Sequence, residues 1–198
     1  MKATRLIITA VGGQGNLLAT KVLGEAAMLS GIEVRMSEEH GMAQRGGVVE
    51  SAMVFGDAKS SIISDGEADL LVGFEPSETL RALKKCKAET VVVSNIAPLP
   101  PFTVAIGKGE YPDLERLQEL IKSKTAKLVT LDAVALAHQA GSVLSVNMVL
   151  LGALIQTGVL PISAESIKTA IETRTKKAFI EMNMKAFDLG YEAAKANG

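Results

Sequence analysis

The sequence has few of the residues that bind metals or form disulfides. Its 198 residues include one cysteine, Cys86, and two histidines, His40 and His138. One thiol forms no internal disulfide and cannot supply the four thiolates that a [4Fe-4S] cluster usually takes. The histidines lie far apart, without the carboxylate spacing of a zinc site. We therefore expect no metal site and no iron–sulfur cluster in this chain, and a reducing, cytoplasmic location.

Long apolar runs and an excess of one charge are missing too. The longest apolar run, from Met148 to Ile155, is less than half of the roughly 20 residues that a membrane-spanning helix needs. The 21 basic and 22 acidic residues leave a net charge of -1, which indicates neither a nucleic acid nor an anionic membrane as partner. Because 47% of the residues are hydrophobic, disorder is excluded and one soluble domain over residues 1–198 is expected.

Short apolar runs alternate with amphipathic stretches, as in α/β proteins. The runs predict strands at Thr4–Ala10, Ile32–Met36, Val48–Phe55, Ser60–Ser64, Asp69–Phe74, Thr90–Ser94, Phe102–Ile106 and Lys127–Leu131. Helices are expected after the first glycine loop, from Pro76 and from Pro112, and the chain beyond Asp132 is expected to be helical, with Ser163 capping one of its helices.

The order of these elements predicts the fold class. Strand, glycine turn, helix and strand come first, which is typical of a βαβ unit. Gly56-Asp57 offers a turn before Ser60–Ser64, so part of the sheet is expected to be antiparallel. We predict a three-layer α/β/α fold with a mostly parallel or mixed sheet, a Rossmann-like start and a helical C-terminal extension.

The first candidate site is the glycine loop that follows the first predicted strand. Gly12, Gly13, Gln14 and Gly15 precede a helix, where backbone N–H groups can approach a pyrophosphate. The dinucleotide fingerprint is met only if Ala10 replaces its first glycine, with Glu38 or Glu39 as the ribose ligand. The alternative is that the glycines only let strand and helix pack closely.

The second candidate is the segment from Ser37 to Gly47, which is rich in glycine and in polar side chains. Arg45 offers a bidentate clamp for a carboxylate or phosphate, and His40 can titrate near neutral pH. The same loop is equally consistent with a contact between subunits.

The third candidate is Phe74-Glu75-Pro76, which ends a buried strand at the edge where open α/β sheets bind ligands. A helix start explains these residues better, with Glu75 near the helix N-terminus and Pro76 in its first turn. Asn95 has the same structural explanation, and Asn147 is interpreted as a helix cap. The sequence shows no nucleophile elbow, zinc-protease motif or Walker loop, so no catalytic residue is assigned.

Three of these segments carry a family resemblance. Val11–Gly15, Glu39–Gly47 and Ala68–Pro76 resemble the gamma-type subunit of 2-oxoacid:ferredoxin oxidoreductases, and the string from His40 to Gly47 is most similar to its indolepyruvate branch. The likeness covers nearly the whole chain. Ala10 departs from it, since related chains often have glycine there.

The resemblance implies a complex that decarboxylates a 2-oxoacid on thiamine diphosphate and Mg, reduces ferredoxin through [4Fe-4S] clusters, and releases an acyl-CoA from coenzyme A. Those cofactors are expected in thiamine-binding and iron–sulfur partner subunits, and the isolated chain is expected to be inactive. Whether isolated copies form a homodimer stays open.

Two groups of residues are therefore candidates. Cofactor binding is expected at Gly12, Gly13, Gln14 and Gly15. A face near the catalytic subunit, the substrate or coenzyme A is expected at Glu39, His40, Gly41, Met42, Gln44, Arg45, Gly46, Gly47, Phe74, Glu75 and Pro76. Two other hypotheses remain: a stand-alone nucleotide- or flavin-binding oxidoreductase that uses the glycine loop, and a pure scaffold subunit.

Overall fold

The computed structural model describes residues 2–41, 47–101, 104 and 106–196. Within these residues, the strands are β1 (Thr4–Val11), β2 (Val34–His40), β3 (Val48–Phe55), β4 (Ala68–Gly73), β5 (Cys86–Asn95) and β6 (Lys127–Leu131). They form a mixed sheet in the order β2-β3-β1-β4-β5-β6. Strands β1, β4, β5 and β6 are parallel, and β3 is antiparallel to both of its neighbours. The predicted α/β class with a mixed sheet is confirmed.

Helices cover both faces of this sheet. They are α1 (Asn16–Leu29), α2 (Pro76–Ala82), α3 (Leu114–Lys124), α4 (Ala133–Ala140), α5 (Val146–Gln156), α6 (Ala164–Arg174) and α7 (Ile180–Ala196). Alternate residues of a strand point to opposite faces, so Ile7 packs in the cluster under α2 and α3, while Leu6 and Ile8 pack in the larger cluster under the other helices. The three layers follow from this double burial.

The predicted βαβ start is present, but β1 and β2 are not neighbours in the sheet. Strand β3 lies between them, paired with β1 along its whole length from Thr4↔Phe55 to Val11↔Val48. It also pairs with β2 from Val34↔Phe55 to His40↔Val49. The hairpin is therefore β2–β3, and β2 extends past the predicted Ile32–Met36 because β3 supplies partners up to His40.

The strand expected at Ser60–Ser64 is wrong. This segment has no strand pairing in the described structure. It crosses a face of the sheet, where Ile63 is buried and Ile62 is exposed. Both edges of β3 are already paired with β1 and β2, which leaves no edge there for another strand. The strand expected at Phe102–Ile106 falls largely outside the described residues; of its described members, neither Val104 nor Ile106 is in a strand.

The C-terminal helices complete the layer that α1 begins. Every residue of α5 from Val146 to Ile155 is buried, and α5 meets α7 at two glycines. A Cβ on Gly152 would lie 2.0 Å from Phe187 O, and one on Gly190 would lie 1.9 Å from Val149 O. The predicted cap is confirmed, since Ser163 accepts from Ser166 N at the start of α6.

No described helix has by itself the length and apolar composition to cross a membrane. Helix α4 and the segment Val143–Gln156, bent by 119° at their junction, pass that test only as a pair.

Candidate functional site

Three of the predicted segments meet at one edge of the sheet. The carboxyl ends of parallel strands lie on the same side, so the glycine loop after β1, Phe74 after β4 and Asn95 after β5 are brought together. Strand β2 runs in the same direction as β1, because each is antiparallel to β3. Its end at His40 and Gly41 therefore reaches this edge as well.

The glycine loop is joined directly to the end of the second predicted segment. Gly12 N donates to Gly47 O at 2.8 Å. Gly13 and Gly15 have φ values of 103° and 84°, in the left-handed region that side chains rarely adopt. Gly15 is the N-cap residue of α1, and no side chain caps this helix N-terminus in the described structure. The loop therefore presents backbone rather than side chains at the edge.

Gln14 holds the loop in place. Its Oε1 accepts from Val11 N at 2.8 Å, and its Nε2 donates to Phe74 O at 3.2 Å. The side-chain amide thus joins the ends of β1 and β4. This geometry gives Gln14 a structural role inside the predicted cofactor loop.

Asn147 also supports the glycine loop. It lies inside α5, one residue after Val146, so the interpretation as a cap is wrong; Ser145 holds the N-cap position. Its Nδ2 donates to Gly15 O at 3.1 Å, and a Cβ on Gly15 would lie 2.7 Å from that nitrogen. Glycine is required at position 15 for two reasons: the positive φ and this close approach. Gly15 and Asn147 lie far apart in the chain, so this contact could not be predicted from the sequence.

A cavity of about 480 Å³ opens beside the loop, lined among others by Gly12, Gly13, Asn16, His40 and Val48. Asn16 was not a predicted site residue, and it is 4% exposed. Its Nδ2 donates to Ser51 Oγ at 2.8 Å, while its Oδ1 has no partner among the described residues. A polar residue directly after the last loop glycine was the available signal for it.

His40 lines this cavity from the end of β2. Its Nε2 lies 3.6 Å from Glu38 Oε2, and Glu38 Oε1 accepts from Thr20 Oγ1 on α1 at 3.2 Å. Glu39 points to the opposite face of the sheet, opposite Glu50 on β3. The side chains of the adjacent residues Glu39 and His40 therefore lie on opposite faces of the sheet and do not contribute to one site.

The pair Glu39–Glu50 faces a small space also lined by Lys85. Burial raises the pKa of Glu50; Lys85 lowers it, and the Glu39 carboxylate raises it further. Two carboxylates opposite each other on neighbouring strands repel.

The geometry does not favour a dinucleotide. In the Rossmann arrangement the acidic ribose ligand follows the strand beside β1. Here β3 intervenes, so β2 lies about 10 Å from β1 at the usual strand spacing. Glu38 is directed to Thr20, and Glu39 faces away from α1.

Phe74, Glu75 and Pro76 are buried and start α2. Glu75 is its N-cap: Oε2 accepts from Glu78 N at 3.0 Å, and Oε1 accepts from Leu99 N at 3.2 Å and from the Tyr111 hydroxyl. Burial, followed by this carboxylate, raises the pKa of Tyr111 above its usual range. All of these contacts fit a helix start that also anchors the following loop.

The side chain of Asn95 also has a structural role, because its amide is hydrogen-bonded to backbone groups. Its Nδ2 donates to Phe74 O at 3.0 Å and to Ala97 O at 3.2 Å. Its Oδ1 accepts from Ala97 N at 3.1 Å and from Ala133 N at 3.0 Å. With four contacts to backbone, this amide fixes the ends of β4 and β5 and the start of α4.

Several predicted residues fall outside the described structure: Met42, Gln44, Arg45 and Gly46. Of the other candidates for metal or redox chemistry, Cys86 begins β5 at the opposite edge of the sheet, and burial raises its pKa to about 11. His138 is exposed on α4. Among the described residues, no three His, Cys, Asp or Glu side chains are grouped to hold a metal ion.

Comparison with known proteins identifies the family. The model of the family described as pyruvate ferredoxin/flavodoxin oxidoreductase matches residues 5–193. The chain belongs to this family. It is also 42% identical over 197 residues to the indolepyruvate oxidoreductase subunit IorB of Pyrococcus horikoshii, covering 98% of each chain. The predicted family resemblance is thus confirmed.

Solved structures of this family share the fold. The gamma subunit of keto/oxoacid ferredoxin oxidoreductase from Geobacter sulfurreducens superimposes with a TM-score of 0.74 at 24% identity, covering 100% of this chain and 99% of that one. The 2-oxoglutarate:ferredoxin oxidoreductase from Magnetococcus marinus gives a TM-score of 0.76 at 22% identity, covering 99% of this chain and 32% of that one. The family fold therefore occurs both as a separate subunit and as part of a longer chain.

Proposed function

We propose that this chain is the subunit without thiamine diphosphate and without iron–sulfur clusters in an indolepyruvate-type 2-oxoacid:ferredoxin oxidoreductase. The complex converts a 2-oxoacid and coenzyme A to an acyl-CoA and CO2, and passes two electrons to ferredoxin. The observation that carries this assignment is the 42% identity to an indolepyruvate oxidoreductase subunit along 98% of both chains. The cytoplasmic location is part of the same proposal.

The residues of this chain do not fit the complex's redox cofactors. One cysteine cannot hold a [4Fe-4S] cluster, and its thiol lies across the sheet from the cavity. Thiamine diphosphate, Mg and the clusters are therefore assigned to partner subunits. No step of decarboxylation or electron transfer is assigned to a residue of this chain.

The contribution of this chain is a docking face at the carboxyl edge of the sheet. The face comprises Glu39–Gly47 and the glycine loop, with the buried turn Phe74–Pro76 supporting it from beneath, and it lies close to where substrate or coenzyme A enters the catalytic subunit. Support comes from the Gly12–Gly47 hydrogen bond and from the cavity between these segments. Gln14 and Asn95 join the ends of β1, β4 and β5 through Phe74 O, so these strand ends are tied together before any partner binds.

The cavity suits an anionic group. Its wall includes the N-terminus of α1, which lacks a side-chain cap, and the positive end of a helix dipole attracts negative charge. In this proposal Arg45 binds the anion and His40 orients a hydrogen bond. A phosphate of coenzyme A and the carboxylate of a 2-oxoacid both have this chemistry.

A pull-down from the native host tests the proposed function. The tagged chain should capture a brown companion that contains thiamine diphosphate and has iron–sulfur absorption. A colourless protein with no companion would contradict the assignment.

An Arg45→Ala variant tests the docking face. We expect it to lower turnover or assembly of the complete complex at least tenfold, since an arginine–anion pair is lost, while the isolated fold is unchanged by circular dichroism. Lys127→Ala, at the amino end of β6 on the opposite edge, removes the same charge and serves as control. Wild-type assembly and turnover with Arg45→Ala would refute the role of Arg45 and leave the subunit assignment intact.

A further inference from the structure

Strand β2 is a free edge of the sheet. It is the last strand in the order, and β3 pairs with it on one side only. Gly41 N donates to Val48 O, and Gly56 N donates to Glu33 O, both at 2.8 Å. These two bonds show that the backbone groups of the odd-numbered residues point toward β3. Those of the even-numbered residues therefore point outward. The outward set is Val34, Met36, Glu38 and His40.

The outer edge of β2 has no strand partner among the described residues. Natural edge strands are usually protected by charged side chains, proline, a bulge or a very short length. β2 carries the charged residues Arg35, Glu38 and Glu39, so a partner strand must match them. β2 has seven residues, without proline or lysine, and its pairing with β3 runs without a register shift. No described residue bonds to the outward backbone groups. The side chain of Met36 on this strand is 43% exposed.

The sequence of β2 is complementary to itself when two copies run antiparallel. Two copies of β2 can pair antiparallel about a two-fold axis that is perpendicular to the sheet. Residues that face each other then have their side chains on the same face of the joined sheet. Because side chains alternate along a strand, the numbers of two facing residues add to an even sum. With the axis at Ser37, the outward set forms the hydrogen-bonded pairs. Arg35 then faces Glu39 of the second copy in a non-hydrogen-bonded pair, where side chains are closest.

Other registers lack this match. An axis at Glu38 would place that carboxylate opposite its own copy, and an axis at Met36 would leave Arg35 opposite Ser37. Among pairings made entirely within β2 (Val34–His40), only the axis at Ser37 sets Arg35 against a carboxylate, and it does so twice; an axis at Val34 would pair Arg35 with Glu33, which precedes the strand. Arg35 and Glu39 are both exposed and lie on the face of β2 that points away from α1. Within the chain Arg35 Nε donates to Ala58 O, so the two terminal guanidinium nitrogens are the groups that would meet Glu39 of the second copy.

The same register offsets an unfavourable contact within the chain. Glu39 faces Glu50 across β2 and β3, a like-charge pair. A guanidinium from a second copy beside Glu39 would counter this repulsion. We propose that the isolated chain forms a two-fold dimer through antiparallel β2 edges, centred on Ser37, which joins two sheets into one. This inference goes beyond the proposed function and does not depend on it.

Charge reversal tests the dimer. Sedimentation equilibrium of the purified chain should give a monomer–dimer equilibrium that weakens as salt is raised. Arg35→Glu alone and Glu39→Arg alone each turn two attractive pairs into repulsive ones. Each should raise the dissociation constant about tenfold or more.

The double variant R35E/E39R decides between this interface and others. Within one chain the two residues are about 13 Å apart along the strand, so they do not form an ion pair with each other. Restoration of the wild-type dissociation constant in the double variant therefore requires contact between copies. Lys127→Glu on β6 and Glu192→Arg on α7, which contacts β6, are the matched controls and should not change it.

Two results would overturn the proposal. One is a chain that stays monomeric across the concentration range. The other is a dimer whose dissociation constant is unchanged by the single reversals, which would place the contact on another surface. Neither result would affect the pull-down of thiamine- and cluster-containing partners, so failure here is distinguishable from failure of the proposed function.

Discussion

At the scale of single residues, the side chains that look most like ligands at the carboxyl edge are engaged in supporting the backbone. Gln14, Asn95 and Asn147 each use their amides on main-chain groups. The Glu75 carboxylate accepts hydrogen bonds from two backbone N–H groups and from the Tyr111 hydroxyl. Among the described residues at this edge, the groups that remain for a ligand are the backbone of the glycine loop, the His40 side chain and one amide oxygen of Asn16.

Substitution of Gly15 tests this support. Gly15→Ala places a Cβ 2.7 Å from Asn147 Nδ2 at a φ of +84°. We expect it to lower the free energy of unfolding by about 1 to 2 kcal/mol for the left-handed backbone, and by about 1 kcal/mol more for the displaced hydrogen bond. Gly13→Ala, with φ +103° and nothing within 4 Å of the new Cβ, should show only the backbone part. Urea denaturation measures both; equal losses would contradict the role of Asn147.

At the scale of elements, α5 and α7 cross in close contact at Gly152 and Gly190. Gly190→Ala would place a Cβ 1.9 Å from Val149 O. The helices must separate, so we expect a loss of about 3 kcal/mol or more in unfolding free energy. Gly24→Ala in α1 is the control, since its Cβ meets nothing within 4 Å and alanine favours helix by about 1 kcal/mol. A small effect at Gly190 would show that this crossing is not tightly packed.

The pair of carboxylates across β2 and β3 predicts a pH dependence of stability. Burial raises the pKa of Glu50 above its ordinary value of 4.5, so the folded state favours the protonated form. Below pH 4.5 Glu50 is protonated in both the folded and the unfolded state and does not change the free energy of unfolding. As the pH rises through the folded pKa, the buried carboxylate forms and lowers the free energy of unfolding.

Glu50→Gln should therefore stabilise the chain at pH 7 by about 0.5 to 1 kcal/mol, a modest gain because the group is half-exposed and screened. The gain should vanish below pH 4.5, the ordinary value of this carboxyl. Denaturation of dilute protein across this range checks it, with Glu33→Gln at an exposed position before β2 as control. A gain that persists in acid would contradict the electrostatic explanation.

The sequence predicts the positions of individual strands and helices better than it predicts which strands pair in the sheet. The strand Val48–Phe55 has the predicted bounds, and Ser163 is the predicted cap, because periodicity and capping are local properties. Insertion of β3 between β1 and β2 was not predicted, since strand pairing depends on residues far apart in the chain. Ser60–Ser64 has the composition of a strand, but both edges of the preceding strand β3 are already paired.

The candidate site shows the same limit. The glycine loop and the Phe74–Pro76 turn were found from their position after apolar strands, and the parallel sheet brings them together. The roles of Gln14 and Asn147 depend on contacts with Phe74 and Gly15, which no spacing in the sequence specifies. Asn16 was missed because a lone asparagine at the start of a helix carries little information.

At the scale of the whole molecule, the proposed docking face and the free strand lie on different sides of one sheet. The docking face lies at the carboxyl ends of the parallel strands, whereas β2 closes the sheet laterally. The two surfaces share Glu39 and His40, the last residues of β2, and His40 also lines the cavity. A catalytic subunit and a second copy can therefore bind at the same time only if both fit around this strand end.

The last prediction is that the purified chain folds on its own but does not catalyse the reaction on its own. The apolar clusters on both faces of the sheet are built from this chain alone, so the purified chain should unfold in one cooperative transition. It should not reduce ferredoxin or a viologen dye with any 2-oxoacid and coenzyme A, because one cysteine cannot hold a cluster. Addition of the thiamine-containing partner should restore turnover in proportion to the complex formed. Gly190→Ala, which disturbs the fold away from the docking face, should lose activity only as far as it unfolds. Turnover by the chain free of other proteins would contradict the division of labour.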